Sequence, residues 1–226
     1  DSGWIDVVVR QAPVVSIDAQ RTQPVRITDS VTPLTITEPE DGVYVFDLGR
    51  NIVGWARVRM NVPAGTEVTI RFAERLEENG MIYTENLRSA KATDIYIAKG
   101  EGTEIYEPPF TVHGFQYVEV TGLPSAPDKN SVTGIVLGSD TPRSGTFECS
   151  DPLVNQLQSN IIWGQRGNFL SVPTDCPQRD ERLGWTGDAQ IFAGTACFNM
   201  DCTAFYGKYM NDLMLEQTVY DGGIPH

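Results

Sequence analysis

The spacing of apolar residues changes once along this chain, at Ser150-Asp151-Pro152, and the change divides it into two kinds of structure. From Val43 to about Leu137 the period is two. In Glu67-Val68-Thr69-Ile70-Arg71-Phe72, the residues Val68, Ile70 and Phe72 face one way and Glu67, Thr69 and Arg71 the other, as a half-buried strand requires. Similar runs occupy Val43 to Asp47, Val53 to Met60, Asp94 to Lys99, Phe115 to Val120 and Ser131 to Leu137. Turn residues separate them at Pro63-Ala64-Gly65, Asn79-Gly80, Lys99 to Gly102 and Pro124 to Asp128. Many short strands with no helical stretch between them predict an antiparallel β-sandwich, here placed over residues 39–143. Residues 1–38, rich in Val, Thr and Pro, read as a linker or the tail of a preceding β domain.

Beyond Ser150 the period becomes helical. A capping Ser or Asp followed by Pro opens a helix in which Leu153, Leu157 and Ile161 recur every four residues. A second helix follows Asp188, with Phe192, Ala193 and Ala196 on one face. A third starts near Asp201 and carries two stripes, Phe205/Tyr209/Leu213 and Tyr206/Met210/Met214. Stripes this wide belong to helices packed on more than one side. Three helices cannot cover one another, so the helical half, residues 144–226, is expected to be incomplete and to bury its apolar faces in a second copy, as a homo-oligomer.

Charge narrows the partners. With 17 Lys and Arg against 30 Asp and Glu the net charge is −13, which repels phosphate backbones and anionic lipids and excludes nucleic acid and membrane surfaces as partners. The N-terminus, Asp1 to Asp6, has neither signal-peptide regions nor an initiator Met, as an excised piece of a longer protein would. Cys149, Cys176, Cys197 and Cys202 form no CxxC pairs, and with only two histidines beside them no metal site is expected. Reduced thiols in a cytoplasmic setting are the expectation.

Chemistry concentrates between the first two helices, in Ser171 to Asp188. Four carboxylates, Asp175, Asp180, Glu181 and Asp188, are interleaved there with Arg179, Arg182 and Trp185 on a loop punctuated by Pro and Gly. Polar groups this dense beside a helical core suit a binding cleft. Crowded carboxylates raise one another's pKa, which would keep one protonated as a general acid, and Trp185 offers a flat face to a sugar ring. The same residues also suit a local salt-bridge network. No Ser or Cys stands near a His base, so triad chemistry is not expected. His113 is read as a hydrogen-bonded core or interface histidine, Cys176 as a packing thiol, and Glu85-Asn86-Leu87-Arg88 as a solvated loop, in preference to a segment that reaches across to the helical half.

The loop Asp175-Cys176-Pro177-Gln178-Arg179-Asp180-Glu181-Arg182-Leu183-Gly184-Trp185-Thr186-Gly187-Asp188 resembles the signature of the bacterial α-L-rhamnosidases of glycoside hydrolase family 78. Further segments resemble that family in the same order: Phe46 to Trp55, Tyr83 to Arg88, Phe110 to Phe115 and Trp163 to Phe169. The resemblance implies a β-sandwich followed by the start of an all-α (α/α)6 barrel. It also implies inverting hydrolysis of terminal α-L-rhamnosyl groups from a glycoside or polysaccharide, with Glu181 as general acid. Asp175 and Asp188 then match residues that hold rhamnose hydroxyls, Arg179 and Trp185 match residues lining the same subsite, and Asp180 and Arg182 take supporting roles. The family's general base is a glutamate expected beyond His226, so the isolated chain is expected to be inactive. No metal or organic cofactor is implied. The rival expectations are a non-catalytic carbohydrate-binding or assembly module and a scaffold for a partner chain.

Overall fold

The computed structural model describes Gly3 and residues 5–224. Asp1, Ser2, Trp4, Pro225 and His226, at the outer ends of the first and last expected domains, lie outside the described residues. The β half comprises β1 (Val25–Val31), β2 (Thr35–Glu40), β3 (Val43–Met60), β4 (Glu67–Ala73), β5 (Arg75–Leu76), β6 (Ile82–Tyr83), β7 (Thr93–Ile97), β8 (Glu104–Tyr106), β9 (His113–Thr121) and β10 (Val132–Ser139). The helical half follows as α1 (Pro152–Asn168), a small hairpin of β11 (Phe169–Leu170) and β12 (Val172–Pro173), then α2 (Thr186–Asn199) and α3 (Thr203–Glu216).

Eight strands share one antiparallel sheet, ordered β1-β10-β3-β9-β4-β7, with β2 and β8 also paired to β3. The sheet closes over itself. Val132 and Val136 of β10 belong to the same buried cluster as Val68, Ile70 and Phe72 of β4, although these strands stand three places apart in the order. In a flat sheet they would be about 14 Å apart. The bend comes from β3, where sequence periodicity predicts two strands and the chain makes one of 18 residues. Its pairing to β9 slips between Asp47 and Ile52, and Gly49, at φ 70, donates its N–H to Asp47 Oδ1 at 2.6 Å. Gly49-Arg50-Asn51 is therefore a bulge inside a strand, which re-aims the second half of β3 from β2 toward β10.

The sheet also begins earlier than residue 39. β1 pairs with β10 and β2 with β3, so residues 25–40 are part of the sandwich. Ahead of them, residues 5–20 carry no regular structure and are exposed.

On the helical side, Asp151 caps α1 by accepting the Leu153 N–H at 2.8 Å. Leu153 is 78% and Leu157 58% exposed, as expected of helices too few to cover one another. The buried side of α1 is instead Ile162, Gln165 and Gly167. Phe169 stacks on Phe205 of α3 with ring centroids 4.1 Å apart, in a cluster with Ile162, Ala196, Met200 and Cys202. Gln165, fully buried, donates to the Ala196 carbonyl at 3.2 Å and accepts from Asn199 Nδ2 at 3.0 Å, tying α1 to the end of α2. On α3 the Phe205/Tyr209 stripe is buried while Met210 and Met214 face solvent. Among the described residues no helix is long and apolar enough to cross a membrane.

Gly54 has no room for a side chain: at φ 155, a Cβ there would lie 1.7 Å from the Ile135 carbonyl oxygen. Gly54→Ala is expected to destabilise the chain by about 3 kcal/mol or more, combining overpacking with backbone strain, as read by urea denaturation.

Candidate active site

The carboxylate-rich segment is irregular from Thr174 to Trp185, yet it is pinned at every side. At its neck, Asp175 N–H donates to the Leu183 carbonyl at 3.0 Å and Leu183 N–H returns to Asp175 Oδ1 at 2.7 Å. Thr174 donates through both N–H and hydroxyl to the Asn168 carbonyl at the end of α1, at 2.7 and 3.0 Å. Tyr209 of α3 donates to the Gly184 carbonyl at 2.6 Å. Inside the loop, Arg182 is half-buried and donates its Nε to the Arg179 carbonyl at 3.1 Å. Cys176 is buried, and burial pushes its thiol pKa up, as a packing thiol should behave.

Glu181 sits at the tip, at φ 123, followed by Arg182 at φ 53. Two successive non-glycine residues in this region cost of order 1–3 kcal/mol each, and such strain gathers where function fixes the backbone. The Glu181 carboxylate is surrounded by donors. Oε2 accepts from Arg179 Nη1 at 2.5 Å and from Arg88 Nη1 at 3.3 Å, and Oε1 accepts from Trp185 Nε1 at 2.9 Å. Guanidinium and indole nitrogens donate and accept nothing, so an O–H on this carboxyl would have no partner among them. The hydrogen bond from Arg179 first, then that from Trp185, holds Glu181 below its ordinary value of 4.5. Crowding by carboxylates was expected to raise a pKa here; at Glu181 the hydrogen bonds from Arg179 and Trp185 outweigh desolvation and lower it.

The other residues singled out from sequence lie close by. An oxygen of Asp175, an oxygen of Glu181 and the Cys176 sulfur lie within 4.8 Å of one another. Asp188 is exposed in the first turn of α2. It shares with Asp175 the wall of a cavity of about 690 Å³, whose apolar side includes Phe169, Phe192 and Tyr206. Asp180 meets the β half, where the Ser89 hydroxyl donates to it and lowers its pKa. His113 is buried, stacked on Phe72 at 4.0 Å, with Nε2 3.2 Å from both Asp94 oxygens, a core histidine.

Glu85-Asn86-Leu87-Arg88 corrects its sequence reading, because it is no solvated loop. Leu87 is 1% exposed and anchors the segment, and Arg88, at φ 57, reaches Glu181. The signal available was the apolar Leu87 flanked by charge, together with the opposite sign of Arg88 and the acidic loop.

Two family models match the chain in succession: the bacterial α-L-rhamnosidase concanavalin-like domain over residues 37–138 and the six-hairpin glycosidase domain of the same enzymes over residues 142–226. The chain belongs to the bacterial α-L-rhamnosidases of glycoside hydrolase family 78. The α-L-rhamnosidase of Streptomyces avermitilis is 55% identical over 96% of this chain, which covers 21% of that protein. A crystal structure of the Streptomyces avermitilis enzyme complexed with L-rhamnose superposes with a TM-score of 0.88 over 89% of this chain and 20% of that one, at 55% identity. The α-L-rhamnosidase structure from Dictyoglumus thermophilum gives 0.84 at 47% identity, over 85% of this chain and 22% of that one. The chain spans about a fifth of the length of these relatives, and has a concanavalin-like β domain followed by helices of the six-hairpin domain.

Asp175 closes the neck of the loop with its carboxylate as well as its backbone. Asp175→Ala should speed amide hydrogen exchange at Leu183 and across residues 176–182 by about 5- to 30-fold, the loss of roughly 1–2 kcal/mol of local protection, while the cores of β4 and β9 keep theirs.

Proposed function

We propose that this chain is the β domain and opening helices of an inverting α-L-rhamnosidase in which Glu181 is the general acid. The observation that carries the reading is the convergence of Arg179, Arg88 and Trp185 on Glu181, on a strained loop beside the cavity shared by Asp175 and Asp188. Asp175 and Asp188 would hold rhamnose hydroxyls as acceptors, with Trp185 and Arg179 lining the same subsite, while Asp180 and Arg182 hold the loop in shape.

Inversion needs a second carboxyl group about 6.5–9.5 Å from the acid, leaving room for water on the opposite face of the sugar. Asp175 is too near for that, its oxygen within 4.8 Å of Glu181. We place the general base on a glutamate beyond His226. Water attacks the anomeric carbon as the base takes its proton, and the proton of Glu181 passes to the glycosidic oxygen of the leaving aglycone.

The free carboxylate must first acquire that proton. A bound rhamnosyl group supplies the cause: it excludes water from Glu181 and offers hydroxyls to Arg179 in place of the carboxylate, and both changes raise the Glu181 pKa. Glu181 is then discharged in the resting site and loaded on occupancy.

In the complete gene product that contains this chain, Glu181→Gln should lower hydrolysis of an alkyl α-L-rhamnoside by about 10²–10⁴-fold. Turnover that survives this substitution overturns the assignment. Binding of a non-hydrolysable rhamnoside should take up protons and weaken as pH rises through the bound-state pKa of Glu181, because ligand raises that pKa. Calorimetry in two buffers of different ionisation enthalpy reads the proton count, and binding without proton exchange removes the loading step.

A further inference from the structure

Among the described residues, the tip of the site loop meets the β half at Arg88, Ser89 and Gly114. Arg88 Nη1 meets Glu181 Oε2 at 3.3 Å, the Ser89 hydroxyl donates to Asp180, and Gly114 of β9 lies so close to Gln178 that a Cβ on it would sit 2.9 Å from the Gln178 nitrogen. The three partners, Gln178, Asp180 and Glu181, fall within four consecutive residues, so one short stretch of the loop is registered on the sandwich. Arg88 and Ser89 are themselves fixed. They follow the short 3₁₀ turn Glu85–Leu87, whose Leu87 is buried, and Asn86 joins Asn51 in donating to Glu74 at the end of β4.

We infer that Arg88 is a positioning residue for the acid: a guanidinium delivered by the β domain that sets where the Glu181 carboxyl points, so that the sandwich completes the active centre. This rests on Glu181 being the general acid, and it extends that reading to a domain with no carboxylate in the proposed chemistry. Arg88 touches Glu181, and its effect is read through the acid. Arg179 and Trp185 come from the same loop as Glu181 and move with it. Arg88 comes from 93 residues away and ties the carboxyl to a different body. Without it, the carboxyl keeps two donors but loses the one that fixes it relative to the sandwich.

A misplaced acid harms only substrates that need protonation. Alkyl rhamnosides leave as poor alkoxides and depend on the acid, whereas a dinitrophenyl group leaves unaided. In the complete gene product, Arg88→Met should lower kcat for an alkyl rhamnoside by about 10-fold, with KM within about twofold, and leave a dinitrophenyl rhamnoside within about twofold of the parent. Its basic pH limb should move up by a few tenths of a unit, because removing the cation disfavours the charged carboxylate. Arg88→Lys, which keeps the charge, should recover most of both effects. Equal loss on the two substrates would make Arg88 merely structural, and no loss on either would leave it without a role; each overturns the inference. Glu181→Gln run beside it separates the two readings. If Glu181→Gln shows the leaving-group dependence and Arg88→Met does not, the acid stands and the positioning role falls. If Glu181→Gln shows no loss, the acid assignment itself falls.

Discussion

The two halves of this chain approach one another at backbone distance, and glycine is what allows them to meet. A Cβ on Gly138 of β10 would lie 2.9 Å from the Arg166 carbonyl oxygen of α1, and one on Gly167 would lie 2.8 Å from Val53 Cγ2 of β3. Gly114 plays the same part farther along the seam, against Gln178. With the last turn of α1 seated this closely, Arg166 can donate to Thr28 at 3.0 Å, and Trp163 lies between two guanidinium groups, Arg50 at 4.8 Å and Arg166 at 4.5 Å. The linker is drawn into the same seam, since Ser144 N–H donates to the Asn199 carbonyl and Asp201 N–H to the Pro142 carbonyl, at 3.0 and 2.9 Å. The position of the carboxylate-rich loop relative to the sandwich follows from this seam, because only the short β11–β12 hairpin separates the loop from the seated turn of α1.

Much of this organisation was legible in the chain. Period-two runs marked the main strands, and Ser150-Asp151-Pro152 marked the first helix, because both signals are local and act over a few residues. The carboxylate loop was legible because its composition suits neither a strand nor a helix interior. Less legible was whatever depended on a distant partner. β1 and β2 lack strong alternation, being largely exposed, and become strands by pairing with β10 and β3. The bulge in β3 read as a break, because Gly49-Arg50-Asn51 carries the residue types of a turn. Leu153 and Leu157 show helical spacing without burial, so periodicity identified the helix but not the face it packs.

At Glu181 the salt-bridge network, one of the two local readings of this loop, is what the fold forms. Within the loop, carboxylates and arginines alternate, and counting neighbours in sequence suggests crowded acids. In space, Glu181 has three donors on its two oxygens, and one of them comes from the other half of the chain. Charge density in sequence says that a site is electrostatically active; only the fold decides which groups face each other.

The two cations on Glu181 differ in their access to water. The Arg179 side chain is 19% exposed and that of Arg88 59%. Dissolved ions screen exposed pairs and largely spare sheltered ones. Ionic strength therefore acts on this carboxylate more through Arg88 than through Arg179, which makes the seam between the domains the more salt-sensitive side of its hold.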